Sequence, residues 1–167
     1  MPLEEPFTHK EEVMKFAKGG FKHIYAVRLE PGEDVMASMQ EFCENNGIKK
    51  GVIISGIGSL NGCSYFDPEE LEGKPGLYGY GDPIELPCPI ELITLCGNIC
   101  TDAQGKVSLH VHASFADEKG LSYGGHFKEG NLVLTTVEMV IGEIEGFDMS
   151  RAIDPLRGVP LFTPIQL

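Results

Sequence analysis

Residues 107–115 read Val-Ser-Leu-His-Val-His-Ala-Ser-Phe, an alternation of apolar and polar or small side chains at almost every step. A period of two fits no helix, whereas a strand sends successive side chains to opposite faces. A strand here places Val107, Leu109, Val111, Ala113 and Phe115 on a buried face and Ser108, His110, His112 and Ser114 on the other. The two histidines therefore stand side by side, off the core, on a sheet that must bury its opposite side.

A third imidazole follows in Gly124-Gly125-His126. A Gly-Gly turn before it would let the backbone approach closely and adopt positive φ. Three neutral imidazoles with one position left open describe a catalytic-type zinc site rather than a closed structural one. Imidazole also suits nickel, copper and iron, so zinc is the leading metal among several. On the residues alone a second reading stays open, in which His110 and His112 are polar positions on a solvated or interface face and His126 is a turn residue.

With 167 residues, 42% hydrophobic and 23% charged, the chain is expected to form one soluble globular domain, 1–167, with a sizeable core. Thirteen Lys and Arg against 25 Asp and Glu give a net charge of −12, and the arginines are Arg28, Arg151 and Arg157. A protein that grips duplex DNA needs a basic stripe to neutralise phosphates, so direct nucleic-acid binding is disfavoured. The cysteines, Cys43, Cys63, Cys88, Cys96 and Cys100, are odd in number and lack a Cys-x-x-Cys spacing. They read as reduced, mostly buried thiols of a cytoplasmic protein. Cys96 and Cys100 lie four apart on one face of a strand, a spacing that argues only weakly for a thiolate site. The first residues, Met-Pro-Leu-Glu-Glu, are acidic where a targeting peptide is basic, and no apolar run reaches the roughly 18 residues of a membrane span.

Phe21 to Leu29 reads as a strand with Phe21, His23, Tyr25, Val27 and Leu29 facing the core and Arg28 facing away. After Pro31-Gly32, Glu33 and Asp34 put negative charge at the positive end of a helix whose apolar positions are Val35, Met36, Met39, Phe42 and Cys43. Asn45-Asn46-Gly47 stops it. Gly51 to Leu60 is a buried strand; its Gly56 and Gly58 suggest tight packing or a bulge rather than a nucleotide loop, because Asn61 holds the third glycine position and no helix begins at Cys63 to Pro68. Residues 67–89, rich in Pro, Gly and acids, form a loop or a hairpin of short strands, a candidate lid or oligomer contact. Strands resume at Ile90–Cys100, Val107–Phe115 and Asn131–Ile141, with a turn at Asp102-Ala-Gln-Gly105, and Gly146 to Leu167, holding three prolines, is expected to wrap the surface.

In order along the chain, Arg28-Leu-Glu-Pro-Gly-Glu-Asp34, Ser55-Gly-Ile-Gly-Ser59, Ile90-Glu-Leu-Ile-Thr-Leu-Cys-Gly97, His110-Val-His112 and Gly124-Gly-His126 resemble the plants and prokaryotes conserved (PPC) domain family, from about Tyr25 to Gly142. The resemblance implies an α/β domain of the α+β type: a strongly bent, largely antiparallel sheet packed with a few helices and assembled as a homotrimer. Plant members carry an AT-hook that enters the DNA minor groove. Here Arg157-Gly-Val-Pro160 has valine where the hook needs its second arginine, so the chain resembles the stand-alone prokaryotic form. Some members hold a metal where His110, His112 and His126 fall.

Two functional expectations follow. In the first, a trimer holds zinc in a cleft, with water or a small acid in the open position. Used as an enzyme, such a centre lowers the pKa of its water towards about 7 and gives a hydrolase or lyase of a small molecule. Glu91, Asp117 and Glu138 are the candidate general bases. Each also has a structural role available: Asp117 can cap the turn Asp-Glu-Lys-Gly, and Glu91 and Glu138 can pair with Arg28 inside the trimer. In the second expectation the protein is a regulator or scaffold that binds DNA or a protein through the trimer surface, with the acidic 67–89 segment as contact. No nucleophile elbow, phosphate loop or paired-carboxylate motif is present, so the sequence names no reaction.

Overall fold

The computed structural model describes residues 14–154 and 158–167. Arg157, in the stretch compared with the AT-hook, lies outside them. Strand β1 (Gly20–Leu29) leads into helix α1 (Val35–Asn45), which is followed by β2 (Gly51–Leu60) and β3 (Cys63–Phe66). Three short strands come next, β4 (Pro68–Glu70), β5 (Tyr78–Tyr80) and β6 (Ile84–Leu86), and then three longer ones, β7 (Ile90–Thr101), β8 (Val107–Asp117) and β9 (Ser122–Phe127). Strands β10 (Val133–Glu145), β11 (Phe147–Ile153) and β12 (Pro160–Gln166) complete the described chain. The main sheet runs β1-β10-β2-β7-β8-β9-β3-β6 with every neighbour antiparallel, while β4 and β5 pair apart from it.

This is the largely antiparallel sheet expected, with one helix among the described residues where a few were anticipated. Register shifts between Phe21 and His23, Val140 and Ile141, and Leu92 and Thr94 mark irregularities of the kind that bend a strand. Gly58 sits beside another shift, and a Cβ there would lie 2.1 Å from the Thr136 carbonyl oxygen. Close strand approach, not phosphate binding, is what this glycine serves.

Helix α1 begins where the acids predict. Asp34 is its N-cap, accepting a hydrogen bond from Ala37 N at 2.9 Å, and its second oxygen accepts from Gly130 N. Val35, Met36, Met39 and Cys43 are buried, and the helix packs against β8, where Gln40 donates to the Val107 carbonyl at 3.0 Å. Under the helix, Leu92, Leu95, Ile99, Val111, Phe115 and Phe127 form the centre of the core. No helix among the described residues is long and apolar enough to cross a membrane.

Two local expectations are corrected. His23 keeps the face of Tyr25, Val27 and Leu29 but is not buried: near the outer end of this edge strand it is exposed, with Nδ1 2.9 Å from Glu143 Oε2, while the bulge between Phe21 and His23 takes Phe21 off that face and leaves it 49% exposed. The C-terminal segment is not an irregular wrap, since β11 and β12 form a regular hairpin that meets β7 at Thr101. Met149 of β11 then packs with Cys100 and Ile144 in a second, smaller cluster. Cys96 and Cys100 do leave β7 on one face, but the hairpin region covers Cys100 and leaves Cys96 exposed. Burial pushes the Cys63 thiol up to about 12 and those of Cys43 and Cys100 up to about 11, which keeps all three protonated at neutral pH.

Because Asp34 ties both the start of α1 and the β9–β10 turn, Asp34→Ala should lower stability by about 1–2 kcal/mol. A urea denaturation curve reads this as a lower midpoint with unchanged slope; an unmoved midpoint would mean the cap is dispensable.

Candidate metal centre

The face of β8 opposite the core carries the histidines, as the alternation requires. Val111, Ala113 and Phe115 are buried, while His112 is exposed and His110 half-buried. Antiparallel pairing sets His126 of β9 directly across from His112. Gly124 and Gly125 do not form a turn with positive φ: both lie inside β9. Their value is close approach, because a Cβ on Gly125 would sit 2.6 Å from Asp67 Oδ1 and 2.7 Å from the Phe66 carbonyl oxygen. Asn131 braces the same region from below. It is buried, accepts from Ser64 N at 2.8 Å, and donates to the carbonyls of Ser64 and Lys128 at 2.9 Å each.

The three rings form a near-equilateral triangle, with centroids 5.1 Å apart for His110 and His112, 5.2 Å for His110 and His126, and 5.3 Å for His112 and His126. One nitrogen from each lies within 4.8 Å of the other two. His110 and His112 present their Nε2 atoms to each other at 3.3 Å. Two ligands at Zn–N distances of 2.0–2.1 Å on a tetrahedral centre are separated by about 3.3–3.4 Å, so this pair already has the spacing of one tetrahedral edge. The third ligand carries its own signal. His126 is buried, and its Nδ1 has no hydrogen-bond partner. A buried imidazole nitrogen left without a partner costs free energy unless something outside the chain satisfies it. The donor set and this orphaned atom fit a borderline-soft cation such as zinc.

Electrostatics favours the same protonation state that metal binding needs. Burial first, then the Arg151 guanidinium and His112, pushes His110 down to about 4. Burial, followed by His110, His112, Lys128 and Arg151, pushes His126 down to about 4. Both rings are thus neutral at pH 7, with lone pairs free for a ligand role.

Around the triangle lies a cavity of about 580 Å³ whose walls come from segments that sequence reasoning did not assign to a site. Tyr80, at the base of the β4–β5 hairpin opposite Pro68, stacks on His126 with centroids 4.4 Å apart and planes 16° from parallel. Lys128 lies over the Phe66 ring at 4.4 Å and the Tyr80 ring at 5.4 Å. Arg151 reaches the cavity from β11, and Asp67 lines it from the start of the hairpin. The aromatic Tyr78-Gly-Tyr80 inside an otherwise acidic, proline-rich stretch was the available clue to the hairpin's role. Arg151 had no comparable signal, because its position depends on pairing with β12.

The candidate bases lie elsewhere. Glu91 pairs with Ala116 in the β7–β8 register, five residues along β7 from Cys96, the residue opposite His112. Asp117 closes the β8–β9 turn, accepting from Lys119 N and Leu121 N at 2.9 Å each and from the Tyr123 hydroxyl at 3.3 Å. These bonds, led by that of Leu121, hold its carboxyl below the usual range. Glu138 is exposed on β10 across from Arg28, in a separate groove of about 390 Å³, while Arg28 itself pairs with Glu30.

Comparison with known proteins places this geometry in a family. A sequence model of the Plants and Prokaryotes Conserved (PCC) domain matches residues 16–145. The bifunctional protein GlmU of Synechococcus sp. (strain JA-2-3B'a(2-13)) is 28% identical over 151 residues, 90% of this chain but 21% of that protein. The chain thus spans about a fifth of the length of the curated relatives it matches. Among solved structures, a plant- and prokaryote-conserved protein of Pyrococcus horikoshii superposes with a TM-score of 0.75 at 28% identity, covering 92% of this chain and all 100% of that one. A metal-containing protein of Archaeoglobus fulgidus gives 0.73 at 28% identity, covering 89% and 99%. With the family model spanning most of its length and the same fold in those neighbours, the chain belongs to the Plants and Prokaryotes Conserved domain family.

Proposed function

We propose that this protein binds zinc through His110, His112 and His126 and uses the centre to bind or process a small molecule. The observation that carries the reading is the buried, unpartnered His126 Nδ1 within a triangle whose other two members already stand 3.3 Å apart, nitrogen to nitrogen. The likeness to a metal-containing protein supports it. Zinc held by three histidines supplies Lewis acidity to whatever enters the open position. The chain itself does the rest. Tyr80 fixes the plane of the His126 ring by stacking, and burial keeps His126 and His110 neutral. For hydrolase or lyase chemistry a proton acceptor must stand in the cavity; the three candidate bases, Glu91, Asp117 and Glu138, do not line it, whereas Asp67, which was not among them, does.

We also propose a homotrimer, as the family resemblance implies. Ile24, Ile57 and Ile93, on strands β1, β2 and β7, are 61%, 54% and 45% exposed, and contact between copies would cover such residues. Duplex DNA is not part of this reading, because a net charge of −12 repels phosphates over most of the surface.

Metal analysis of protein purified without a histidine tag or chelator should find about one zinc per chain, in a species with three times the 18.2 kDa chain mass. His110→Ala should abolish the zinc without unfolding the chain, since the residue is only half-buried. Full zinc content in that variant would remove the site from His110, and a monomer mass would remove the trimer.

The metal-free protein should respond to pH in a definite direction. His110 and His126 sit near 4 when folded against an ordinary 6.5, so below about pH 6.5 the unfolded chain takes up protons that the folded chain refuses. Stability is therefore complete above pH 6.5 and is lost progressively as pH falls towards 4. The Tm of metal-free protein should drop over that window, and less so in His110→Gln, which lacks one of the two groups. Equal slopes for both proteins would show that His110 is not held neutral by the fold.

A further inference from the structure

The cavity beside the histidines concentrates positive charge in a strongly acidic chain. Arg151 and Lys128 both line it, against the single lining carboxylate of Asp67. Neither cation has a carboxylate within ion-pair distance among the described residues. Lys128 is instead held over two aromatic faces, Phe66 and Tyr80, at the cavity wall. Arg151 donates from Nη2 to the Pro160 carbonyl at 3.1 Å, which anchors the guanidinium to β12, while its Nε is buried and has no partner. A buried guanidinium donor without an acceptor is unfavourable, and the residue that carries it lines the cavity. The planar fork of Arg matches two oxygens of a carboxylate or phosphate, and Lys adds a point charge.

We propose that the cavity selects a small oxyanion-bearing molecule, whose carboxylate or phosphate oxygens are taken by Arg151 and Lys128 beside the three-histidine triangle. The rest of that molecule is compact and largely apolar, because about 580 Å³ is the size of a small-ligand pocket and Leu109, Leu161 and Met36 contribute to its walls. Tyr80 closes one side and is 44% exposed, so its ring can contact the ligand as well as His126. This inference takes the position of the metal from the proposed function but takes its anion selectivity from Arg151 and Lys128 alone.

The test is calorimetric titration of the full chain, zinc-loaded and metal-free, with two probes: inorganic phosphate and benzoate, a carboxylate with an apolar body. Saturable binding of at least one probe is expected. Arg151→Gln should weaken it by about tenfold or more, as loss of a charge-assisted pair does, and Arg151→Lys by less, while zinc content stays unchanged. Should Arg151→Gln fail to fold, Lys128→Gln carries the test, since that side chain is on the surface and its loss should weaken binding several-fold. Benzoate binding without phosphate binding would identify the oxyanion as a carboxylate, and the reverse as a phosphate; both support the proposal. Undiminished affinity in the Arg151 and Lys128 variants, or no binding of either probe to zinc-loaded protein, would overturn it. The two readings fail separately: zinc bound without anion binding leaves the metal centre standing, and Arg151-dependent anion binding in a chain that takes up no zinc leaves the anion site standing.

Discussion

The antiparallel pairing of β8 with β9 is the constraint on which the rest of the site depends. It sets His112 opposite His126 and, through the neighbouring β7, Cys96 opposite His112 and Asn98 opposite His110. A slip of one residue would turn His110 and His112 into the core and push Val111 and Phe115 out. The core therefore enforces the register: Val111, Phe115 and Phe127 are fully buried on the opposite face of the same two strands. Apolar burial at roughly 25 cal/mol per Å² makes such a slip costly, so the free energy that folds the sheet also holds the imidazoles together. The ligand triangle is in this sense preorganised by packing that never touches it.

A second layer of structure then closes over that face. The β4–β5 hairpin brings Tyr80 onto His126, and the β11–β12 hairpin brings Arg151 to the cavity while covering Cys100 with Met149. The second hairpin adds Arg151 to the groups that, together with burial, hold His110 and His126 neutral. Asn131 contributes a fully satisfied buried polar junction between β3 and the end of β9, which fixes the frame on which the first hairpin hangs.

What could be read from the sequence divides along the same line. The strand at Val107–Asp117, the side on which its histidines fall, and the helix after Asp34 all follow from local periodicity and capping. The expectation that residues 67–89 form short paired strands also holds for β4 and β5. Alternation puts His23 on the right face of β1 but cannot show that the core ends before it, and the bulge that takes Phe21 off that face leaves no local mark. For Gly124 and Gly125 the expected close backbone approach holds, to the Ala113 carbonyl at Gly124 and to Asp67 and the Phe66 carbonyl at Gly125, whereas the expected turn with positive φ does not. Arg151, Lys128 and Asp67 went unassigned for a common cause. Each reaches the cavity through a contact between segments tens of residues apart, and such contacts leave no trace in a local pattern.

A chain with a net charge of −12 can still keep a cationic pocket because electrostatic range is short. At physiological salt the Debye length is about 8 Å, so most surface carboxylates are screened from a half-enclosed cavity, whereas groups lining it interact through a poorer dielectric. The sequence places its few arginines accordingly. Arg28 is exposed and satisfied by Glu30, while Arg151 is drawn inward beside neutral histidines that cannot satisfy its charge. Were zinc held by the three histidines as proposed, the metal and the Arg151 guanidinium would repel each other. An anion between them would relieve that repulsion, and under the two proposals zinc and the oxyanion would each raise the affinity for the other.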